Sequence, residues 1–380
     1  MQCIIILEGV SVLHIFFTFL VLSAVSMAQE CSHLWQHDLK TGTIGPKGYM
    51  GDTHAAYGIM SFYNDGTRYY VVKGKFPQAR FFSIETYNGR KNGAGSSLVD
   101  SRMVPDPGSV NPFTEGTPLD APNRDYTVFI APEGAPKLGE NQIPFVRDEK
   151  FISFYVRYYL PNQGLPVSLA DLPHVEAFDL KTGQPTSCLD SWPVENFTKY
   201  PQFLGVLSQD PKGVFSFGQA KWKKGANSAV GKYAEGHSRM SFDEVALIRF
   251  KAPTHVDTFS GSGLFNSNAQ VRYWSLCEIN FPNNQGLACL VDQFTPPDQD
   301  GYVTIVNGTG EEVEKEAAKK GYYFIPDIRP KNSRMVLYAF RNILPSKTFK
   351  EKQQYQGDYN PKMRVCPREE FLAGACEWWD

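Results

Sequence analysis

Apolar and polar residues along this chain alternate as strands require. From Tyr57 to Gly74 the sequence reads YGIMSFYNDGTRYYVVKG, two aromatic and β-branched runs separated by Asn64-Asp65-Gly66. Asp-Gly between such runs predicts a hairpin, because glycine takes the positive φ that a tight turn demands. FISFYVRYYLP (151–161) and RMVLYAFRNILP (334–345) have the same β-rich character, although the second also fits a helix. In RFFSIETYN (80–88) neighbouring side chains fall on opposite sides of a pleat. Arg80, Phe82, Ile84 and Thr86 share one side; Phe81, Ser83, Glu85 and Tyr87 share the other. Neither side is plainly polar, so the pattern predicts a central strand covered on both faces.

A second nonamer, RYWSLCEIN (272–280), matches the first: Arg80 with Arg272, Phe82 with Trp274, Ser83 with Ser275, Asn88 with Asn280. VVKGKFP (71–77) matches LIRFKAP (247–253), RDYTVFI (124–130) resembles DGYVTIV (300–306), and DLKTG occurs at both 38–42 and 179–183. Four echoes in one order predict an internal duplication of a whole domain. One helix is expected. Thr309-Gly-Glu-Glu312 has the form of a capping box, EEVEKEAAKK follows with acids first and lysines last, and Gly321 ends it. Its mostly charged face predicts a solvated surface helix. The loop-like PEGAPKLGENQIP places a domain boundary near 145, giving a first β domain over 29–145, a second over 146–345, and a polar tail over 346–380 held by the last two cysteines.

Composition agrees with strands and loops: aromatics reach 14%, charged residues only 21%, and 32 Gly with 26 Pro supply turns. Net charge is −2 with no basic run, which argues against a nucleic-acid partner. Residues 1–28 contain the apolar run HIFFTFLVLSAVSMA and end on small side chains, as a secretory signal does, although no Lys or Arg precedes the run; an uncleaved anchor is the alternative. No other stretch is apolar enough to span a membrane. Six cysteines remain beyond the leader and none forms a CxxC pair, which points to cystine rather than zinc. Cys277 and Cys289 flank the turn-like FPNNQG, and Cys366 and Cys376 flank a short loop, which leaves Cys31 with Cys188. Asn196 and Asn307 head glycosylation sequons.

Signals of chemistry are sparse. There is no GxSxG, HExxH or phosphate-binding glycine loop, and no cofactor is expected. His33 and His37 would share a face if their segment were helical, with Asp52 and His54 nearby; the weightier reading is that they are surface or capping residues, and no metal is expected. Glu85, Glu176, Asp179, Asp292 and Asp300 lie on or beside strands, where two converging acids could hydrolyse a glycan. Trp35, Trp192, Trp222, Trp378 and Trp379 fall in loop-like contexts, where exposed rings stack on sugars or anchor proteins. KWKKG sets Trp222 among Lys221, Lys223 and Lys224, a cationic-aromatic patch suited to an acidic glycan; with Trp192 it forms the expected binding set.

YYVVKGKFPQARFFSIETYN followed by RDYTVFIAPEG, and RYWSLC followed by DQDGYVTIV, resemble uncharacterised exported proteins built of paired β-sandwich, jelly-roll-like domains of unknown function. The resemblance implies two tandem antiparallel β-sandwiches and brings no catalytic motif. The reading is therefore a mostly β, secreted, disulfide-stabilised protein for binding or extracellular assembly, with carbohydrate or an extracellular protein as partner. A glycan-directed hydrolase using strand-end carboxylates is the alternative. Since the Trp274 ring is expected in a core, Trp274→Ala should cost about 3–5 kcal/mol in urea unfolding; a change under about 1 kcal/mol would place the ring at the surface.

Overall fold

The computed structural model describes residues 30–38, 51–88, 93–161, 167–191, 214–217, 231–257, 268–280, 283–333, 335–351 and 357–378. The leader, Asn196, Trp192 and the Lys221–Lys224 patch with Trp222 lie outside these residues, as does Trp379.

The first unit runs through β1 (Gln36–Asp38), β2 (Ala55–Tyr63), β3 (Arg68–Lys75), β4 (Phe81–Asn88), β5 (Gly93–Val99), β6 (Asp125–Pro132), β7 (Gln142–Phe145), β8 (Phe151–Tyr159) and β9 (His174–Asp179). The second uses β10 (Val214–Phe217), β11 (Gly231–Arg239), β12 (Glu244–Lys251), β13 (Tyr273–Asn280), β14 (Gln285–Val291), β15 (Tyr302–Gly308), β16 (Tyr323–Pro326), β17 (Met335–Ile343) and β18 (Lys362–Pro367). One sheet of the first unit is ordered β1-β2-β8-β4-β5 and the other β7-β6-β3-β9; the second unit repeats both orders as β10-β11-β17-β13-β14 and β16-β15-β12-β18. Even the single parallel pair in each unit, β6 with β7 and β15 with β16, is repeated. The fold is thus two β-sandwiches with one strand plan.

Register refines the sequence matches. Lys75 lies opposite Asp125 and Lys251 opposite Tyr302, so Tyr126 corresponds to Val303. Written end to end, RDYTVFI and DGYVTIV would set Tyr126 against Tyr302, a slip of one residue that exchanges faces. Accordingly Tyr126 is in the core, whereas Tyr302 carries the Arg249 guanidinium over its ring at 4.5 Å. The DLKTG echo is not part of the duplication. Asp179 ends β9, whose counterpart is β18, while the copy beginning at Asp38 follows β1. The echo marks a turn chemistry: Asp179 accepts the Lys181 and Thr182 N–H groups, and Gly183 takes φ +68. The boundary expected near 145 would separate β8 and β9 from the sheets in which they pair; the first unit's strands continue to Asp179. Nor is 346–380 a mere tail, since β18 pairs with β12 in the second sandwich.

The helix α1 spans Glu311–Lys319 and ends at Gly321, φ +70. The expected capping box does not form: the Thr309 hydroxyl donates to the Phe242 carbonyl, and Gly310 occupies the N-cap. The helix is also not wholly solvated. Val313 and Ala317 are buried with Val245, Val306 and Phe371. Two shorter helices follow, α2 (Lys347–Glu351) and α3 (Arg368–Leu372). Disulfides join Cys31 to Cys188, Cys277 to Cys289 and Cys366 to Cys376. The first closes a span of 157 residues and ties the entry of the first unit to the stretch beyond β9.

Three of the apolar clusters fill the two sandwiches and the seam between them. Phe82 and Ile84 fill the first sandwich, Trp274 and Leu276 the second. The other faces of β4 and β13 meet across a seam, where Phe81, Tyr87 and Tyr159 of one unit join Tyr273, Val291 and Ile343 of the other. The double coverage expected for the nonamers is therefore real, and the second cover is the sister unit. The turns out of β8 and β17 carry the same feature: Leu160 and Leu344, both leucines before proline, have φ +43 and +45. Left-handed backbone is unfavourable for leucine. Burial of Leu160 in the seam cluster, with Leu344 packed against it, supplies compensating contacts.

Two reciprocal ion pairs cross the seam. Arg80 pairs with Asp292, and at the duplicated positions Arg272 pairs with Asp100 at 3.4 Å. Each aspartate also accepts a backbone N–H from its own unit: Asp100 from Phe82 and Asp292 from Trp274, both at 2.9 Å. Burial raises both carboxyls above the usual range, and the arginine from the other unit is the main opposing influence. Removing one partner of a buried pair strands a charge. Arg80→Met should therefore cost about 3–5 kcal/mol, and Arg80→Met with Asp292→Asn distinctly less than the two single changes summed, as a double-mutant cycle in urea would show. Additive effects would mean the pair does not couple the units.

Candidate functional site

The five carboxylates singled out in the sequence do not converge. Glu85 accepts Ser83 Oγ at 2.9 Å and Arg157 Nη1 at 3.1 Å in the seam, and Asp292 is held there by Arg80. Glu176 bonds Lys73 on the outside of the first sandwich, Asp179 closes its turn, and Asp300 sits in the loop before β15. His33 lies in a 3-10 turn, Ser32–Leu34, and His37 in β1, so no helix puts them on one face. Trp35 is in the core with its Nε1 donating to the Pro173 carbonyl, and Trp378 packs on the cluster beneath α1 and α3. Asn307 is fully buried, and its amide donates to Glu278 Oε2 at 2.9 Å and the Ile325 carbonyl at 3.1 Å. No glycan fits there, because the sequon's asparagine belongs to a strand inside the second sandwich.

The seam holds an unequal pair of polar clusters. Arg157 faces Glu85, but at the matching place Arg341 faces Cys277, whose Sγ accepts from its Nη1 at 2.8 Å. Asp52 fills part of the missing role: its Oδ2 lies 3.8 Å from Arg341 and accepts the Tyr273 hydroxyl at 2.7 Å. Tyr57, which accepts the Asp52 N–H, is pushed up to about 12 chiefly by burial. Among the described residues, the one close group of three metal-ligating side chains is Asp52 with Cys277 and Cys289, and those sulfurs are bonded to each other.

A cleft of about 490 Å³ opens at one end of the first sandwich. β3 supplies Lys73, Gly74 and Lys75; the approach to β6 supplies Arg124, Asp125 and Tyr126; Tyr158 of β8 and His174 of β9 complete the strands' share. Gly74 is required here because a Cβ would meet the Tyr126 hydroxyl at 2.5 Å. The opposite wall, Val167–Leu172, is set by a 3-10 turn with Ser168 at its N-cap. It is tied down by Tyr158, whose hydroxyl donates to the Asp171 carbonyl at 3.0 Å, and by Trp35 through Pro173. Phe76, Tyr126 and Tyr158 are buried rings packed behind the cleft, and its accessible apolar surface comes from Pro77, Ala170 and Leu172. Charged groups of both signs stand around it: Lys75 reaches Asp125 at 2.7 Å and holds its carboxyl below the usual range. These three rings belong to this copy alone, since the positions corresponding to Phe76, Tyr126 and Tyr158 are Ala252, Val303 and Asn342, and Phe250, at the position of Gly74, packs on Trp274 and Phe340. These cleft residues were visible only as strand markers in VVKGKFP and RDYTVFI. The available signal was Gly74, a glycine inside a strand run.

Solved structures similar to the chain are known. One is an uncharacterized protein of Burkholderia cenocepacia, with 13% identity and a TM-score of 0.56 over 86% of this chain and 78% of that one. Another is the VPA0106 protein of Vibrio parahaemolyticus, with 12% identity and a TM-score of 0.46 over 84% and 92%. No family model and no curated protein matches the chain. The likeness to the Burkholderia protein shows a shared fold.

A carboxyl raised toward neutrality also lies away from the cleft. Glu235 on β11 is pushed up to about 7 by burial, with Arg341 opposing. Its folded pKa exceeds the ordinary 4.5, so the folded chain holds the proton more tightly than the unfolded chain does. Stability from this group should be present at low pH and fall as pH rises from about 4.5 to 7. Glu235→Gln should flatten that fall in denaturation measured across the window; an unchanged slope would show that Glu235 is solvated.

Proposed function

We propose that this is an exported, disulfide-stabilised binding protein whose first unit takes a small carbohydrate in the cleft. The observation that carries the reading is the cleft itself: a cavity in the size range of small-molecule sites, with an apolar patch of Pro77, Ala170 and Leu172 on its floor and charged donors and acceptors around it. Sugars present the same mixture, with C–H faces for the floor and hydroxyls that both donate and accept. Export is supported by the apolar leader at 1–28 and by three cystines, which persist in oxidising compartments. No helix among the described residues is long and apolar enough to cross a membrane.

Binding is favoured over hydrolysis because the five strand-end carboxylates Glu85, Glu176, Asp179, Asp292 and Asp300 do not converge on one cleft, as a glycosidase pair must. Thermal unfolding and calorimetry with a panel of mono- and disaccharides test the proposal. A bound sugar should raise Tm by about 2–4 °C for each ~1 kcal/mol of linkage, and Lys75→Ala, a change at an exposed side chain, should weaken binding without lowering Tm of the free protein. A panel with no ligand shifting Tm, or binding untouched by cleft variants, would overturn it.

A further inference from the structure

We infer that the preferred ligand is an acidic sugar, and that Arg124 receives its carboxylate. This rests on the binding proposal above and adds the ligand's charge. Most charged groups around the cleft are already engaged. Lys73 Nζ lies 2.9 Å from Glu176, Lys75 Nζ 2.7 Å from Asp125, and His174 contacts Glu30 at 3.0 Å. The acids are also occupied: Asp106 accepts the Thr127 hydroxyl at 2.9 Å, and Asp171 accepts the Ser168 N–H at 2.9 Å.

Arg124 differs. Among the described residues it forms no salt bridge; the carboxylate its charge acts on, Asp125, is already bonded to Lys75. Its Nη1 reaches only the Leu119 and Ala121 carbonyls, both at a long 3.4 Å, and because its Nε is buried, the terminal nitrogens are the part of the guanidinium that a ligand in the cleft would meet. The spare capacity around the cleft is therefore that of a donor with positive charge. A guanidinium meets a carboxylate through two parallel N–H groups, a stronger and more directional match than a neutral hydroxyl provides. The backbone holds Arg124 in place, because its carbonyl accepts the Phe76 N–H at 2.8 Å at the edge of the floor. In the second unit the equivalent bond runs from Ala252 to Gly301, so that copy has no side chain at this position. Selectivity for an acid would then reside in the first unit, like the cleft.

The test compares glucuronate, its methyl ester and glucose by calorimetry and saturation-transfer NMR on the full chain. Glucuronate should bind at least about tenfold more tightly than the ester, the advantage should shrink with salt, and Arg124→Gln should abolish it. Equal binding of acid and ester would overturn the acidic preference while leaving sugar binding intact. Binding of none of the three, where other sugars bind, would likewise overturn the acidic preference; failure of every sugar would remove the binding proposal with it. A sugar phosphate bound in place of glucuronate would overturn the carboxylate assignment. The comparison of acid with ester on the unaltered protein decides the matter even if Arg124→Gln does not fold.

Discussion

The structure depends on charges that neither sandwich can neutralise alone. Asp100 and Asp292 sit at the ends of β5 and β14 and fix the aromatic strands beside them by accepting the Phe82 and Trp274 N–H groups. Both are buried, and the arginine that opposes burial comes from the other unit. Ionised carboxylates in such surroundings need a counter-ion. Each sandwich therefore completes the other's interior, and the aromatic seam around Tyr159 and Tyr273, with ring centres 5.1 Å apart, keeps water from the pairs.

This arrangement is isologous in form: residue and partner exchange roles across an approximate two-fold relation, as in a symmetric dimer. Joining both halves in one chain removes the need to keep them identical. Where the first half retains Glu85 against Arg157, the second has a cystine, and Asp52 from outside the strand plan moves in toward Arg341. The seam tolerates this because Arg341 keeps hydrogen-bonding and electrostatic partners.

Divergence away from the seam gave the halves different interiors. Gly74 beneath Tyr126 in one copy becomes Phe250 beside Val303 in the other, an exchange of ring volume across paired strands. Tyr158 becomes Asn342, and the arginine before β6 becomes Gly301. The first copy is left with an open, mixed-charge cleft and the second with a filled core. A duplicated scaffold thereby provides rigidity twice, and this cleft belongs to its first copy.

The sequence by itself determined what depends on neighbours in the chain. Alternation predicted the strands, Asn-Asp-Gly and DLKTG predicted turns that place Gly66 and Gly183 at positive φ, and short loops between cysteines predicted two of three disulfides, leaving the third by elimination. The paired nonamers revealed the two sandwiches because equivalent burial selects similar side chains. Tertiary structure decided the rest. Arg80 and Asp292 are 212 positions apart, and nothing local in either says that they meet. The register of β15, the burial of Asn307 and the cleft at Arg124 likewise follow from which strand lies alongside and what fills the space behind it. Period-2 patterning records that a side chain is covered; only the packed fold specifies by what.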